Sequence, residues 1–476
     1  MTTPQGDPQP LGLQRALALS ASEAAELYAQ HVNPSLHGLY RLLGTHDLSV
    51  QSARGAEITL PSGRVLLDFS SSFGVTSLGH EHPRLRAAQE RLRERGLVDV
   101  LKIGPTPLQG ALAHDLAALL PAPLEVCSFG TSGAEAVEAA LKLAERAQGP
   151  ERTRYFVLAG SFHGKTHTTL ALTDSGDFGR GFLPGLPPGS VSVLPFGDLA
   201  ALERAVEDER RGRAKSGVIA LVVEPLQGQS LRECPPGYLR GAAQICRREG
   251  ILMIVDEVKV GLLRTGELWA FARHGIVPDI LALAKGLAGG RHALGATLCS
   301  RELFLRAYGS RSAAGLHSSS MGGLTEACAV ALEALSIYSD PGFASAVRAR
   351  SESLERTLQE VAAGHPRQVL GLRGRGLVRG LELAFGPELL RRGATLAGQA
   401  AARSLDSLAM ACLVRSLREE HGILAHFCDS DPTILHVMPP LVVEEAQIQA
   451  FGKALDASLG EGFLRSFAGF AAACVR

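Results

Sequence analysis

Apolar positions along this chain fall into two rhythms. The first is the short continuous run: YFVLAG at 155–160, VIALVVEP at 218–225, ILMIV at 251–255 and ILALA at 280–284, with the alternating SVSVLPF at 190–196 as a further strand signal. Runs of that length without polar alternation predict strands buried on both faces. The second is the helical repeat, clearest in the Ala/Leu-rich segment at 135–147. Strand and helix signals alternate from about residue 125 to 290. That rhythm predicts an α/β fold with a large, doubly wound, mostly parallel sheet.

Other signals flank this core. Residues 1–12 are polar and rich in Pro and Gly, which predicts a disordered tail. Residues 13–31 have helical character, with Ser20 or Ser22 as a cap. Two short alternating segments, GAEITL and RVLLDF, meet at PSG and predict a hairpin within 48–69. A small-residue loop at 70–83 ends at Pro83, a helix-start signal, and a charged helix at 84–95 follows. A helix at 109–120 and a strand at 125–129 come next. Beyond a helix at 325–338, the turn DPGF is a candidate boundary. Helix 344–363, strand 378–385, helix 400–420, a strand near Ile434 and helix 444–459 read as a smaller α+β lobe. The expected division is therefore 1–75, contributing to the small domain; 76–338, the large domain; and 339–476, the C-terminal small domain. The 48–69 hairpin has no place in a parallel sheet, so it is expected to join the smaller lobe.

Charge and composition narrow the function classes. The 476 residues carry 48 basic and 48 acidic side chains. A balanced chain has no electrostatic footprint for nucleic acid or an anionic membrane. The eight cysteines include no C-x-x-C pair, which argues against a zinc site or a disulfide framework. No metal is expected, and reduced thiols suggest the cytoplasm. No basic segment followed by an apolar core opens the chain, and no 18-residue apolar run occurs, so neither a signal peptide nor a membrane span is expected.

The candidate chemistry is concentrated at 251–290. One strand delivers Asp256 at its carboxyl end and the next delivers Lys285. In such sheets ligands bind beyond those ends. An amine there can form an imine with an aldehyde cofactor, while an acid keeps a pyridine nitrogen protonated. The same two residues also suit an ion pair at a sheet edge. Upstream, GTSGAE sets Gly130, Ser132 and Gly133 between a strand and a helix start. That is either a phosphate cradle or an ordinary turn.

Three further segments bear on that choice: SFHGKT at 161–166, VVEPLQGQ at 222–229 and HSSSMGG at 317–323. With GTSGAE, DEVKVG and LALAKGLAGG they stand in the order and spacing of the class III aminotransferases, the ornithine, GABA and putrescine type. The chain resembles that family from about Asp68 to its C-terminal region. The resemblance implies the aspartate-aminotransferase-type fold (fold type I) and pyridoxal 5'-phosphate as cofactor. It implies that Lys285 holds the cofactor as an imine and then moves protons, and that Asp256 pairs with the ring nitrogen. Val258 and Phe162 would face the two sides of the ring. Ser132, Gly133 and Ala134 match the phosphate loop, and His163 and Glu224 belong with the cofactor-binding residues. Ser320 matches a position that reaches the phosphate of the neighbouring subunit, which implies a homodimer with shared active sites. The 70–74 loop, with Ser72 and Phe73, would help form the substrate pocket.

Four positions depart from the family pattern. Ala134 replaces a threonine, which removes one hydroxyl donor at a cost of about 1 kcal/mol. Lys259 replaces a glutamine that contacts the ring hydroxyl; it either takes over that contact as a charged donor or points to solvent. Gln229 and His436 replace a glutamate and an arginine that form a carboxylate-binding switch in ornithine and GABA aminotransferases. Either the pocket wall has drifted, or the pocket has no fixed carboxylate clamp there, since histidine does not reproduce a bidentate arginine pair. On the second reading 2-oxoglutarate is a poor substrate or is bound through another arginine.

Blander roles fall to His80 and His82 (a structural turn), Trp269 (packing) and Arg264 (no catalytic role). The expected function is transfer of an amino group from an amine or amino acid to a keto acid or aldehyde. Two alternatives remain: an amino-acid racemase or epimerase of the same fold, and a non-catalytic protein retaining it.

Overall fold

The computed structural model describes residues 10–211, 217–385, 399–428 and 430–461. The first nine residues of the expected polar tail lie outside these ranges.

Seven strands form the central sheet, in the order Val126–Gly130, Gly295–Cys299, Ile280–Leu283, Leu252–Asp256, Val218–Val223, Arg154–Leu158, Val191–Leu194. The five from Ile280–Leu283 to Val191–Leu194 pair in parallel. Gly295–Cys299 is antiparallel to both its neighbours, so the sheet is mostly parallel with one strand reversed. Every residue of Val218–Val223 and of Leu252–Asp256 is buried. Alternate residues serve opposite faces: Met253, Val255, Leu281 and Leu283 join one core cluster, and Leu252, Ile254, Ile280 and Ala282 the other. That two-sided burial is why these strands read as unbroken apolar runs. Helix Gly133–Gln148 covers one face, packing Ala136, Val137, Ala140, Leu141 and Ala144. Helices Tyr238–Glu249 and Thr325–Tyr338 cover the other.

Two smaller sheets flank this layer. Ser52–Arg54, Glu57–Thr59 and Val65–Asp68 form the expected hairpin extended by one strand. Its last strand pairs in parallel with Ile423–Leu424, far away in sequence. The third sheet runs Val369–Arg375, Val378–Leu383, Asp431–Val437, His426–Cys428, all antiparallel. Phe69 stacks on Phe451 at 4.3 Å, joining the N-terminal strand to helix Glu445–Glu461.

Several expectations shift. The helical stretch at 13–31 is two helices, Gly12–Leu17 and Ala21–His31. Ser20 starts the second, because its hydroxyl and the Glu23 carboxylate cap each other's backbone N–H. Helix Pro34–Leu43 follows, capped by Asn33 and closed by Gly44 in the left-handed region. The helix expected from 344 begins at Pro341, with Asp340 accepting from Phe343 N at 2.7 Å.

Candidate active site

Parallel, in-register strands bring their carboxyl ends to one edge, and the residues that follow them line a cavity of about 760 Å³ there. Asp256 ends Leu252–Asp256, Lys285 follows Ile280–Leu283, Glu224 follows Val218–Val223, and Phe162 follows Arg154–Leu158. All four line the cavity, together with Ser132, Gly133, Ala134, His163, Val258, Lys259, Gln229 and Phe73.

Asp256 is buried and held at both oxygens. His163 Nδ1 lies 2.9 Å from Oδ2, and Val258 N donates to Oδ1 at 2.9 Å. Burial alone would lower the His163 pKa, but the hydrogen bond and charge of Asp256 outweigh it and leave it raised. His163 Nε2 is buried without a protein partner.

Glu224 receives Phe162 N at 3.0 Å and Gly228 N at 2.6 Å. It thereby ties two cavity-lining segments together. Burial pushes its carboxyl up to about 7, against the pull of His163.

Lys285 has a left-handed backbone, φ +49°, and its Nζ donates to Phe73 O at 3.1 Å. Burial pulls its amine down to about 7, and the Lys259 charge acts in the same direction. The carbonyl it meets belongs to a strained loop in which Ser71, Ser72 and Phe73 all have positive φ. Asp68 anchors that loop: one carboxylate oxygen accepts Ser70 N, Ser70 Oγ and Ser71 N, and the other lies 3.0 Å from His80 Nε2. His80 therefore has a structural partner at hand.

The loop before helix Gly133–Gln148 is built around its acidic first turn. Ser132 Oγ accepts Glu135 N at 3.1 Å, and Thr131 donates both its N–H and its hydroxyl to Glu135. Gly133 cannot be larger, since a Cβ would meet Val258 Cγ1 at 2.6 Å. The first-turn amides of Gly133 and Ala134 have no partner within the helix, and both residues line the cavity. A helix start of this kind can hold an anion.

Lys259 does not point to solvent. Its Nζ donates to Gly228 O inside the cavity, and burial lowers its pKa. Phe162 meets Phe178 edge to face at 5.6 Å, and Phe73 meets the His426 ring at 4.4 Å.

Three expected residues lie apart from this set. Ser72 is exposed and outside the lining, although its neighbour Phe73 is in it. His436 is fully buried behind the wall, with Nδ1 3.8 Å from Cys428 Sγ. Ser320 is exposed, outside its own chain's cavity.

The sequence reading missed several lining residues. Leu36, Leu39, Tyr40 and Leu43 form one face of helix Pro34–Leu43. Their i, i+3, i+4, i+7 spacing was available as a signal. His426 and Cys428 also line the cavity, and with His436 they set nitrogen and sulfur atoms within 4.8 Å of one another. They come from two strands whose pairing no local pattern announces. Arg264, buried, donates to Leu377 O, Pro439 O and Ser77 Oγ and so braces three segments behind the site. Trp269 is buried and donates to Leu119 O.

Comparison with known proteins identifies the family. A family model described as aminotransferase class-III matches residues 43–459. A putrescine aminotransferase of Pectobacterium atrosepticum is 35% identical over 401 residues, covering 80% of this chain and 83% of that protein. An ornithine aminotransferase from Toxoplasma gondii, whose active site holds PLP at partial occupancy, superposes with a TM-score of 0.78 at 26% identity, over 94% of this chain and 96% of that one. A thermostable (S)-enantioselective omega-transaminase from Thermomicrobium roseum gives 0.79 at 25% identity, over 93% and 99%.

Proposed function

The chain belongs to the class-III aminotransferases, and from that premise we propose that Lys285 is its catalytic amine, working in the cavity at the strand ends. The protein is a pyridoxal-phosphate-dependent enzyme that moves an amino group from an amine or amino acid to a keto acid or aldehyde. The relatives are aminotransferases, and they favour this activity over racemisation or a non-catalytic role.

The residues fit the cofactor. An anion site at a helix start, a buried carboxylate held at both oxygens and an amine share one cavity, with Val258 and Phe162 as apolar faces. When bound, pyridoxal phosphate supplies an electron-poor ring that stabilises negative charge developing at the substrate carbon. Asp256 keeps a proton on a ring nitrogen, and His163 and Val258 N keep Asp256 in position for that task. The Gly133 and Ala134 amides and the Ser132 hydroxyl receive the phosphate. Lys285, with its amine pulled toward neutrality, takes a proton from the substrate carbon and returns it during the transfer. The Phe73 carbonyl holds Nζ by one hydrogen bond, which leaves the amine able to swing.

The single observation that carries this reading is the convergence of Asp256 and Lys285 in one cavity with the helix-start amides. An imine band at roughly 400–430 nm is expected in the loaded protein, and its loss in Lys285→Ala and on borohydride treatment. A panel of amines and amino acids should discharge that band; a band that survives Lys285→Ala would overturn the assignment. Ser320, exposed and outside its own cavity, fits a contact to a second subunit, so the working unit is a homodimer. The free cysteines described at seven positions fit a reducing, cytoplasmic setting.

A further inference from the structure

We propose that Lys259 is the specificity-determining cation that receives the substrate's carboxylate, and that the enzyme's substrates are α-amino acids with apolar side chains. This rests on the aminotransferase reading and names the substrate class of the same site.

A carboxylate entering this cavity loses water and needs a charged partner. No arginine is among the described residues that line it. Gln229 is uncharged. His436 and His426 are neutral, since burial drives both far below the usual histidine range, to about 3 for His426. His163 is engaged with Asp256, and His292 lies between Gln89 and Glu326. Of the three lysines, Lys285 is the reacting amine, and Lys165 sits over the Phe178 ring at 4.2 Å. Lys259 remains.

Its placement suits the task. The stem runs close to two glycines. A Cβ on Gly74 would come within 3.8 Å of Lys259 Cγ, and one on Gly228 within 3.0 Å of Cδ. The side chain therefore lies against both the 70–74 loop and the 224–229 turn. The ammonium has three donors, and only one is spent on the Gly228 carbonyl. Nζ is held at the Gly228 carbonyl, next to Gln229, the position where the resembling family carries the glutamate that pairs with its arginine. Leu36, Leu39, Tyr40, Leu43 and Phe427, in the lining of the same cavity, offer apolar surface to a side chain. The competing duty for Lys259 is a contact with the cofactor's ring oxygen, which would affect every substrate alike.

The test uses the loaded dimer and matched donor pairs that differ only by the carboxylate: leucine with isoamylamine, and phenylalanine with phenethylamine. The readout is the ratio of kcat/KM within each pair. Lys259→Met and Lys259→Gln should lower that ratio at least tenfold, mainly through KM of the amino acid, and Lys259→Arg should restore much of it. Titration calorimetry with 4-methylpentanoate, which carries no amine, should show at least tenfold weaker binding to Lys259→Met. An unchanged ratio, an unchanged affinity, or a wild type that uses the amines and not the amino acids would overturn the proposal. Loss of the 400–430 nm band in Lys259→Met would also overturn it, by assigning the residue to the cofactor. The aminotransferase reading fails separately, if no donor discharges the band of the wild type.

Discussion

An ordinary lysine is protonated at neutral pH and can neither attack a carbonyl nor accept a proton. Lys285 escapes this because burial disfavours its charged form and Lys259 repels a second charge nearby. Its amine is pulled to about 7, so the neutral fraction grows as pH rises through that value. The rate at which cofactor-free protein captures pyridoxal phosphate should therefore rise with a midpoint near 7 rather than near 10.5. Removing the neighbouring charge in Lys259→Met should move the midpoint upward, and a downward shift would contradict the electrostatic account. Asp256 and Lys285 were readable in the sequence because each ends an apolar run. The role proposed for them together was not, until GTSGAE, SFHGKT and HSSSMGG gave the family order. Lys259 marks the limit at this scale. Its identity was plain, but whether it faced the cavity depended on Gly74 and Gly228, on two separate segments.

Elements place those residues, and here the reversed strand matters most. Gly295 stands opposite Gly130, and a Cβ on it would meet Ser132 O at 2.2 Å. Gly295→Val should displace the anion loop and weaken cofactor affinity at least tenfold, measured by fluorescence titration, while far-UV circular dichroism stays near wild type. Helix caps contribute less. Asp340→Ala removes the acceptor for Phe343 N and should lower unfolding free energy by about 1 kcal/mol in urea denaturation. Strands buried on both faces and helices with caps were visible in the sequence, because local pattern carries them. Gly295–Cys299 escaped, since GATLC is short and nothing local announces an antiparallel partner. Helix Pro34–Leu43 had its signals, Asn33, Pro34 and Gly44, and its apolar face gained meaning only as a cavity wall.

Across the whole molecule, chain ends meet. Val65–Asp68 pairs with Ile423–Leu424, and Phe69 stacks on Phe451. Both rings are fully buried. Phe451→Ala should cost about 3–5 kcal/mol, seen as a large fall in melting temperature, and it should loosen the 70–74 loop that follows Phe69. The expectation that the hairpin joins the C-terminal lobe came from topology, since a hairpin cannot enter a parallel sheet. At this scale Ser320 predicts a dimer. Sedimentation at micromolar concentration should give about twice the monomer mass, and a monomer that is fully active would refute the shared-site reading. Among the described residues no helix is long and apolar enough to cross a membrane.

The sequence by itself determined most of the elements, the parallel core and the family, and it pointed to Asp256 and Lys285 as candidates. These are local or ordered properties: runs of burial, caps, and motifs in a fixed succession. Tertiary structure alone decided what surrounds them. It set His163 against Asp256, turned Lys259 inward, put His436 behind the wall and brought the face of Pro34–Leu43 over the cavity. Each of those depends on contacts between residues far apart in the chain, which no local pattern encodes. The charge on Lys285 belongs to the same class, because a pKa is set by everything packed around the group.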